Sequence, residues 1–297
     1  MTRREWIGTT LAAAAPAAAD DHRIGRSSLS AITDEIARSP AGAIDFARQY
    51  GLRWLELRNV PGARGEFFRL PEDELKTAAR ELEAARIGIS FLNTSMLKYM
   101  LPGTEPVNPR ARGGSSRFDQ RLVELRQAIE AARILGASKI RIFAFSRVAE
   151  PEKLLDRLAG LIAEMCRIAE KEDMRLLIEN EGSTNIASCA ETAALLKRVS
   201  SPALGVNWDP LNATRMEEIP FPDGYEKLPK DRIGNVPIKG RTVLPGPERL
   251  DWAAVFRRLA ADGYRGQIGL ETHIFGEGQI QASHDSMREI LRIVEPG

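Results

Sequence analysis

The sequence predicts an α/β protein folded as a single-domain (β/α)₈ TIM barrel. Three observations predict it: eight short apolar runs, amphipathic helical patterns between them, and a length of 297 residues. Strands that alternate with helices form a parallel sheet with crossover helices, and eight such units in roughly 270 residues match a closed barrel. An open doubly wound sheet is the alternative. The first run is not followed by the glycine-rich phosphate loop that such a sheet would favour.

The eight apolar runs are typical of buried parallel strands, because each is short and nearly continuous. They cover residues 29–32, 52–57, 87–92, 139–145, 175–179, 204–209, 233–239 and 267–271.

The clearest of the predicted helices follows Pro151, where Leu158 and Ile162 belong to one apolar stripe. Another begins at Asp251, a residue type that caps helix N-termini, and a third spans residues 117–135. The longest irregular stretches, 93–116 and 212–232, follow strands at the face where barrels carry substrate lids.

Residues 1–19 have the pattern of a twin-arginine signal peptide. The segment TRREWIG at 2–8 contains two arginines followed by bulky apolar residues, and an alanine-rich stretch follows it. Alanines at 17–19 precede two aspartates and provide a small-residue cleavage site. We therefore expect export to the periplasm or the exterior, with the barrel occupying residues 27–297.

The composition excludes two classes of partner. The formal net charge is +1, which provides no electrostatic footprint for nucleic acid. The chain also lacks a strongly apolar run long enough to span a membrane, so we expect no stable membrane insertion.

Three of the apolar runs end in a carboxylate. Glu179, Asp209 and Glu271 close the fifth, sixth and eighth runs. The carboxyl ends of barrel strands meet on one face, where active sites lie. Carboxylates that converge there can bind a hard metal ion, so the pattern favours a metal-assisted enzyme.

With these acids in place, the chain resembles the xylose-isomerase-like sugar phosphate isomerase/epimerase superfamily over residues 29–293. The segments that carry the resemblance are AITDEIA at 31–37, GLRWLELR at 51–58, LGASKIRIF at 135–143, LLIENEGS at 176–183, GVNWDPLNA at 205–213, FPDGYEKL at 221–228 and DGYRGQIGLETH at 262–273.

The resemblance implies a divalent cofactor, Mn²⁺ or Mg²⁺, held by Glu, Asp, His and Glu from four strand ends. Glu179, Asp209 and Glu271 match the acidic ligands by position. The histidine position of the seventh strand holds Pro237, which offers no ligand atom from its side chain.

This departure leaves three interpretations. The metal is held by three carboxylates and water, which suits Mg²⁺ or Mn²⁺. Alternatively, His273 or Asn212 replaces the missing ligand. In the third interpretation the metal is lost, and it ranks last because three clustered acids without a cation would repel one another.

The chemistry that the resemblance implies is proton transfer next to the carbonyl of a small sugar or polyol, through an enediolate. In the family the first and last glutamates carry the proton, here Glu179 and Glu271. The leading expectation is a metal-dependent isomerase or epimerase. A lyase or dehydratase on an oxidised (keto) glycoside shares the intermediate. A non-catalytic, exported sugar-binding protein is the alternative that Pro237 suggests.

Further side chains are candidates for contact with the carbohydrate substrate, which is the expected partner. They are Glu56 at the end of the second strand, Lys98 in the loop after the third, Asn212, Lys239 of the seventh strand, and His273. The sequence leaves open whether the protein forms a homo-oligomer. Endonuclease action is excluded, because a multi-zinc centre needs more histidines than the three of this chain.

Overall fold

All eight predicted runs contribute strands to one parallel sheet. The computed structural model describes residues 23–63, 65–108 and 115–295. The strands are β1 Leu29–Ala31, β2 Trp54–Leu57, β3 Gly88–Leu92, β4 Lys139–Ile142, β5 Arg175–Glu179, β6 Leu204–Asn207, β7 Ile233–Lys239 and β8 Gln267–Glu271.

The sheet curves into a nearly closed barrel. Its strand order is β1-β8-β7-β6-β5-β4-β3-β2, and a parallel bridge between Ile32 and Glu56 joins the two ends. The predicted single-domain (β/α)₈ TIM barrel is therefore confirmed.

Helices alternate with the strands around the outside. They are α1 Thr33–Ile36, α2 Pro40–Tyr50, α3 Glu72–Ala84, α4 Ser115–Asp119, α5 Arg121–Leu135, α6 Leu155–Glu170, α7 Cys189–Arg198, α8 Pro210–Thr214, α9 Tyr225–Lys227, α10 Gly240–Val243, α11 Trp252–Ala261 and α12 Gln279–Val294. The predicted stripe of α6 is confirmed, since Leu158 and Ile162 are fully buried. The predicted cap of α11 is confirmed too, because the Asp251 side chain accepts a hydrogen bond from the Ala254 N–H at 2.9 Å.

Two strands end at least two residues earlier than the apolar runs predicted. β4 ends at Ile142, and the N–H groups of Phe143 and Phe145 donate to the Met96 and Leu97 carbonyls in the loop after β3. β6 ends at Asn207, because Asp209 is the N-cap of α8 and accepts a hydrogen bond from the Asn212 N–H. Asp209 therefore lies just beyond the sheet.

The predicted lid regions follow β3 and β6 and contain short helices, among them α8 and α9. Within the described residues, none of the helices is both long enough and apolar enough to cross a membrane. The predicted signal peptide lies outside the described residues.

Polar groups occupy part of the barrel interior. Glu56 is 1% exposed, and its two carboxylate oxygens accept hydrogen bonds from the Ser30 hydroxyl and the Asn93 amide, both at 2.8 Å. Burial raises the pKa of Glu56. Gly269 provides the necessary space, because a Cβ at this position would overlap with the Glu56 carboxylate.

Lys139 lies at the opposite end of the barrel from the strand-end acids. Its ammonium donates hydrogen bonds to the Gly234 carbonyl at 3.1 Å and to the Gln267 side chain. Burial lowers the pKa of Lys139 to about 8. The folded protein therefore releases this proton at a lower pH than the unfolded chain does.

We predict that Lys139→Met removes a pH-dependent part of the stability. Between the folded pKa of about 8 and the ordinary value of 10.5, the unfolded state binds more protons, so the wild type becomes more stable as pH rises. Relative to Lys139→Met, the wild type should gain about 2 kcal/mol in free energy of unfolding from pH 7.5 to 9.5. Urea unfolding of both proteins measures this, and parallel pH profiles would refute it.

Candidate active site

Three carboxylates lie together at the mouth of the barrel. Glu179 and Glu271 are the last residues of β5 and β8, and Asp209 follows β6. All three lie at the carboxyl ends of strands, as the sequence predicts. Their exposed fractions are 2%, 3% and 0% for Glu179, Glu271 and Asp209. Buried carboxylates need partners, because an unpaired buried charge is costly.

Lys239 provides the partner for two of the acids. It is the last residue of β7, pairs in register with Glu271, and is 3% exposed. Its ammonium nitrogen lies 2.5 Å from Glu271 Oε2 and 3.2 Å from Asp209 Oδ2. The ammonium therefore lies between the two carboxylates.

The shared ammonium has unequal effects on its two partners. Burial lowers the pKa of Lys239, but the charges of Asp209 and Glu271 outweigh burial and raise it above its ordinary value. Burial likewise opposes ionisation of Glu271, but Lys239, His273 and Arg58 hold the pKa of Glu271 well below its usual range. Asp209 is farther from the ammonium, and burial raises its pKa to about 6. Of the two acids that contact Lys239, Glu271 is thus the one with the lower pKa.

Glu179 is paired with a different cation. Arg141, from the middle of β4, donates to Glu179 Oε2 at 3.0 Å, and the Asn207 amide donates to the same oxygen at 2.6 Å. Asn207 is itself held by Asn235, whose amide donates to the Asn207 side-chain oxygen at 3.0 Å. Glu179 Oε1 has no hydrogen-bond partner among the described residues. This oxygen is the one that remains free to act on a substrate.

Arg58 is shared by three carboxylates beside the mouth. Its guanidinium donates to Glu271 Oε1 at 3.0 Å, Glu35 Oε1 at 2.7 Å and Asp34 Oδ2 at 3.0 Å. His273 joins this group through its backbone N–H, which donates to Glu35 Oε2 at 2.7 Å, and through Nδ1, 3.3 Å from Glu271 Oε1. The His273 side chain is 33% exposed, so it faces the opening of the barrel.

Asn212, a predicted substrate residue, contacts Asp209. Its amide donates to Asp209 Oδ2 at 2.8 Å and to the Asn180 carbonyl at 3.0 Å, and its backbone N–H donates to Asp209 Oδ1. The Asn180 side chain in turn accepts from the Asp209 N–H at 2.8 Å. These bonds fix the orientation of the Asp209 carboxylate.

The other two predicted substrate residues occupy different depths. Glu56 is buried inside the barrel, where Ser30 and Asn93 hold it. Lys98 lies at the mouth, where its ammonium is 3.1 Å from Glu181 Oε2 and 4.5 Å from the centre of the Phe143 ring. Lys98 is therefore placed to meet a ligand that enters the barrel, whereas Glu56 is not.

Pro237 occupies the position that the resemblance assigns to a histidine ligand. It lies in β7 opposite Gly269 of β8, two residues before Lys239 and hence on the same face. The Asn235 carbonyl accepts a hydrogen bond from the Trp208 N–H at 3.0 Å, so the backbone groups of Asn235 point toward β6. Pro237 lies two residues later in the strand, so its backbone points to the same edge of β7. Because β6 has already ended there, the missing N–H of Pro237 breaks no ladder bond.

Comparison with known proteins identifies the family. The family model for the xylose isomerase-like TIM barrel matches residues 44–290. The chain belongs to this family. A search of curated proteins gives no match.

Solved structures with the same fold include members of several enzyme types. The 3-keto-D-glucoside 4-epimerase YcjR from E. coli is 15% identical, with a TM-score of 0.69 over 90% of this chain and 99% of that one. The probable 3-DHS dehydratase AsbF from Bacillus anthracis is 18% identical, with a TM-score of 0.67 over 88% and 98%. A xylose isomerase-like protein from Mycobacterium smegmatis in complex with magnesium is 16% identical, with a TM-score of 0.66 over 91% and 97%. At these identities the similarity shows the fold alone.

The family's metal ligands do not fit a divalent ion in this arrangement. Lys239 lies between Asp209 and Glu271, and Pro237 offers no donor. Among the described residues, the ligand atoms that lie within 4.8 Å of one another belong to another group: Glu35, Glu271 and His273.

Sequence reasoning missed three residues that contact the acids or share their cations: Arg141, Asn207 and Glu35. Arg141 follows Lys139 by two residues in the run KIRIF at 139–143, and this period of two predicts that both side chains point into the barrel. Asn207 shares the polar face of its strand with Asp209 in the same way. Glu35 carries no such signal, because its role depends on where α1 packs.

We predict that Arg141→Met destabilises the fold because it leaves Glu179 buried without its cation. The expected loss is about 3–5 kcal/mol in free energy of unfolding, measured by urea denaturation. Arg141→Met combined with Glu179→Gln should recover part of this loss, because the second change removes the unpaired charge.

The matched control is Arg126→Met, which changes an exposed arginine of α5 and should shift stability by less than about 0.5 kcal/mol. If the double variant were as unstable as the sum of its single variants, the Arg141–Glu179 pair would not be coupled.

Proposed function

We propose that this protein is an enzyme that moves a proton on the carbon next to a carbonyl group of a small carbohydrate. The observation that carries the proposal is the free oxygen of Glu179, held at the mouth of the barrel by Arg141 and Asn207. A fixed carboxylate with one free oxygen is suited to act as a general base. The family to which the chain belongs and the epimerase and dehydratase among similar structures support this class of chemistry.

The two predicted proton carriers receive different roles in this proposal. Glu179 takes the proton through Oε1. Glu271 holds Lys239, Arg58 and His273 through its two oxygens, and its lowered pKa makes it a weak base. In this proposal Glu271 therefore does not carry the proton and instead orients Lys239 and Arg58 toward the substrate.

The fate of the intermediate decides between the products. Return of the proton to the opposite face gives an epimer, and return to the adjacent carbon gives an aldose–ketose isomer. Expulsion of a substituent gives a lyase or dehydratase reaction. We propose isomerase or epimerase action, with a lyase on a keto glycoside as the alternative, since both begin with the same proton abstraction.

A metal-assisted form of the reaction is the second candidate. Glu35, Glu271 and His273 could hold Mn²⁺ or Mg²⁺, and three carboxylates share the single guanidinium of Arg58 at that point. A bound ion would supply charge stabilisation for a substrate oxygen. The similar structure in complex with magnesium adds support.

The test is exchange of solvent deuterium into a panel of ketoses and keto glycosides, followed by NMR. The wild type should exchange a proton next to the carbonyl of at least one sugar. Glu179→Gln should slow exchange by about 100-fold or more, with an unchanged fold, because the amide oxygen still accepts from Arg141. The matched control, Glu277→Gln, changes an exposed acid in the loop after β8 and should keep the wild-type rate.

Three other outcomes would contradict parts of this proposal. Exchange at the wild-type rate in Glu179→Gln would exclude Glu179 as the base. Release of a leaving group would indicate the lyase. Saturable binding of a sugar without any exchange would indicate the non-catalytic sugar-binding protein.

We also propose export through the twin-arginine route, which rests on the segments 2–8 and 17–19 alone. Expression with the full N-terminus should yield a periplasmic protein whose measured mass corresponds to a start at Asp20. Replacement of Arg3 and Arg4 by lysine should leave the uncleaved chain in the cytoplasm. Equal export of both forms would contradict the proposal.

A further inference from the structure

We infer that the ammonium group of Lys239 takes the place of the family's divalent cation and binds the carbonyl oxygen of the substrate. The inference deepens the proposed function and rests on it for the catalytic part. Its structural part, that Lys239 prevents metal binding at Asp209 and Glu271, stands independently.

The position of Lys239 carries the inference. Its nitrogen lies 3.2 Å from Asp209 Oδ2 and 2.5 Å from Glu271 Oε2, between two of the acids that the family uses as metal ligands. The Lys239 side chain is 3% exposed and those of its partners are 0% and 4% exposed. If so buried a cation left for solvent, Asp209 and Glu271 would remain buried without their partner, which is energetically costly.

Pro237 and Lys239 lie two residues apart on the same strand of the site. Both lie on the inner face of β7, and Pro237 removes the ligand that β7 would supply. Lys239 supplies a positive charge from the same strand. The backbone holds it in place, since the Thr242 hydroxyl donates to the Lys239 carbonyl at 2.7 Å and β8 pairs with it in register. One strand thus lacks the metal ligand and carries the cation that pairs with Asp209 and Glu271.

An ammonium group can perform the electrostatic part of the reaction. It carries three N–H donors, and the described residues provide two carboxylate partners, Asp209 and Glu271. The third donor is available for a substrate oxygen. Preorganised donors aimed at a developing oxyanion are a large source of rate acceleration in buried sites.

The proton-transfer step balances without any other reactant. Glu179 Oε1 forms a bond to the proton of the carbon next to the carbonyl as the C–H bond breaks. The electron pair of that bond forms the carbon–carbon double bond of an enolate, and the carbonyl π pair moves to oxygen. The Lys239 N–H donates a hydrogen bond to this oxygen. Reversal on either face returns the proton from Glu179 or from solvent.

The group formed by Glu35, Glu271 and His273 is a poorer place for the cation. Arg58 already donates to Glu35 Oε1 and Glu271 Oε1, and the His273 N–H donates to Glu35 Oε2. An ion bound to these oxygens would have to displace the guanidinium, which Asp34 also holds.

The first experiment measures Mn²⁺ binding by calorimetry and by the loss of the free-ion EPR signal. The wild-type protein should bind no stoichiometric Mn²⁺. Lys239→Ala should gain one Mn²⁺ per chain, because it leaves two facing carboxylates without a cation, and the added ion should raise its melting temperature. Lys239→Ala combined with Pro237→His should bind about tenfold more tightly or better, since it restores the fourth ligand.

Controls locate the new site. Lys239→Ala combined with Asp209→Asn should lose the gained ion. Lys98→Ala, which removes the lysine that pairs with Glu181, should gain none. Lys239→Gln provides a milder variant if Lys239→Ala does not fold, and the wild-type measurement requires no variant. Stoichiometric Mn²⁺ binding by the wild type that His273→Ala abolishes would overturn the inference in favour of the second candidate, as would variants at Lys239 that gain no ion.

The second experiment uses the deuterium-exchange assay. Wild-type exchange should be unchanged by EDTA, and Lys239→Met should lose about 100-fold or more in kcat. Exchange that EDTA abolishes would overturn the catalytic part. If no sugar exchanges at all, the proposed function fails, while Mn²⁺ binding still decides whether Lys239 occupies the place of the metal.

Discussion

The ammonium of Lys239, enclosed by Asp209 and Glu271, is the interaction on which the mouth of this barrel depends. Buried carboxylates at strand ends repel one another unless a cation lies between them. This chain supplies that cation from β7, at 2.5 Å and 3.2 Å from the two acids. The strand that contributes the lysine also contributes the proline that removes a metal ligand. One strand therefore both omits the metal ligand and supplies the charge that pairs with Asp209 and Glu271.

The same requirement organises the neighbouring strands. Arg141 joins β4 to Glu179 of β5, and Arg58 joins the chain after β2 to α1 and to Glu271 of β8. Each cation joins its own strand, at or near its end, to an acid of another strand, so the electrostatic partners also fix how the ends of the strands meet. Because such pairs occupy most carboxylate oxygens at the mouth, a carboxylate oxygen without a partner is a candidate for contact with a substrate. Among the described residues, Glu179 Oε1 is such an oxygen on one of the three strand-end acids, and the functional proposal follows from that geometry.

Much of the fold was predictable because each strand is a short apolar run and each main helix carries one apolar stripe. Those signals depend only on residues that are close together in the chain, so they can be read from the sequence. The ends of β4 and β6 were less predictable, since hydrogen bonds of Phe143 and Phe145 to the loop after β3 and a helix cap at Asp209 accompany them. The partners of the acids were not predictable from the acids themselves. Arg141 had a signal, the alternation with Lys139, but Glu35 depends on the packing of α1 against the barrel.

The sequence by itself determined the eight strands, the placement of Glu179, Asp209 and Glu271 at strand ends, and the absence of a histidine at Pro237. All of these depend on residue type and on spacing along one strand. Only the tertiary structure decided which charges face one another, because the contacts between β4 and β5 or between β7 and β8 join residues far apart in the chain. It placed Lys239 between two acids that the sequence alone had assigned to a metal. Pairing of buried charges is a property of the closed barrel and of no single segment.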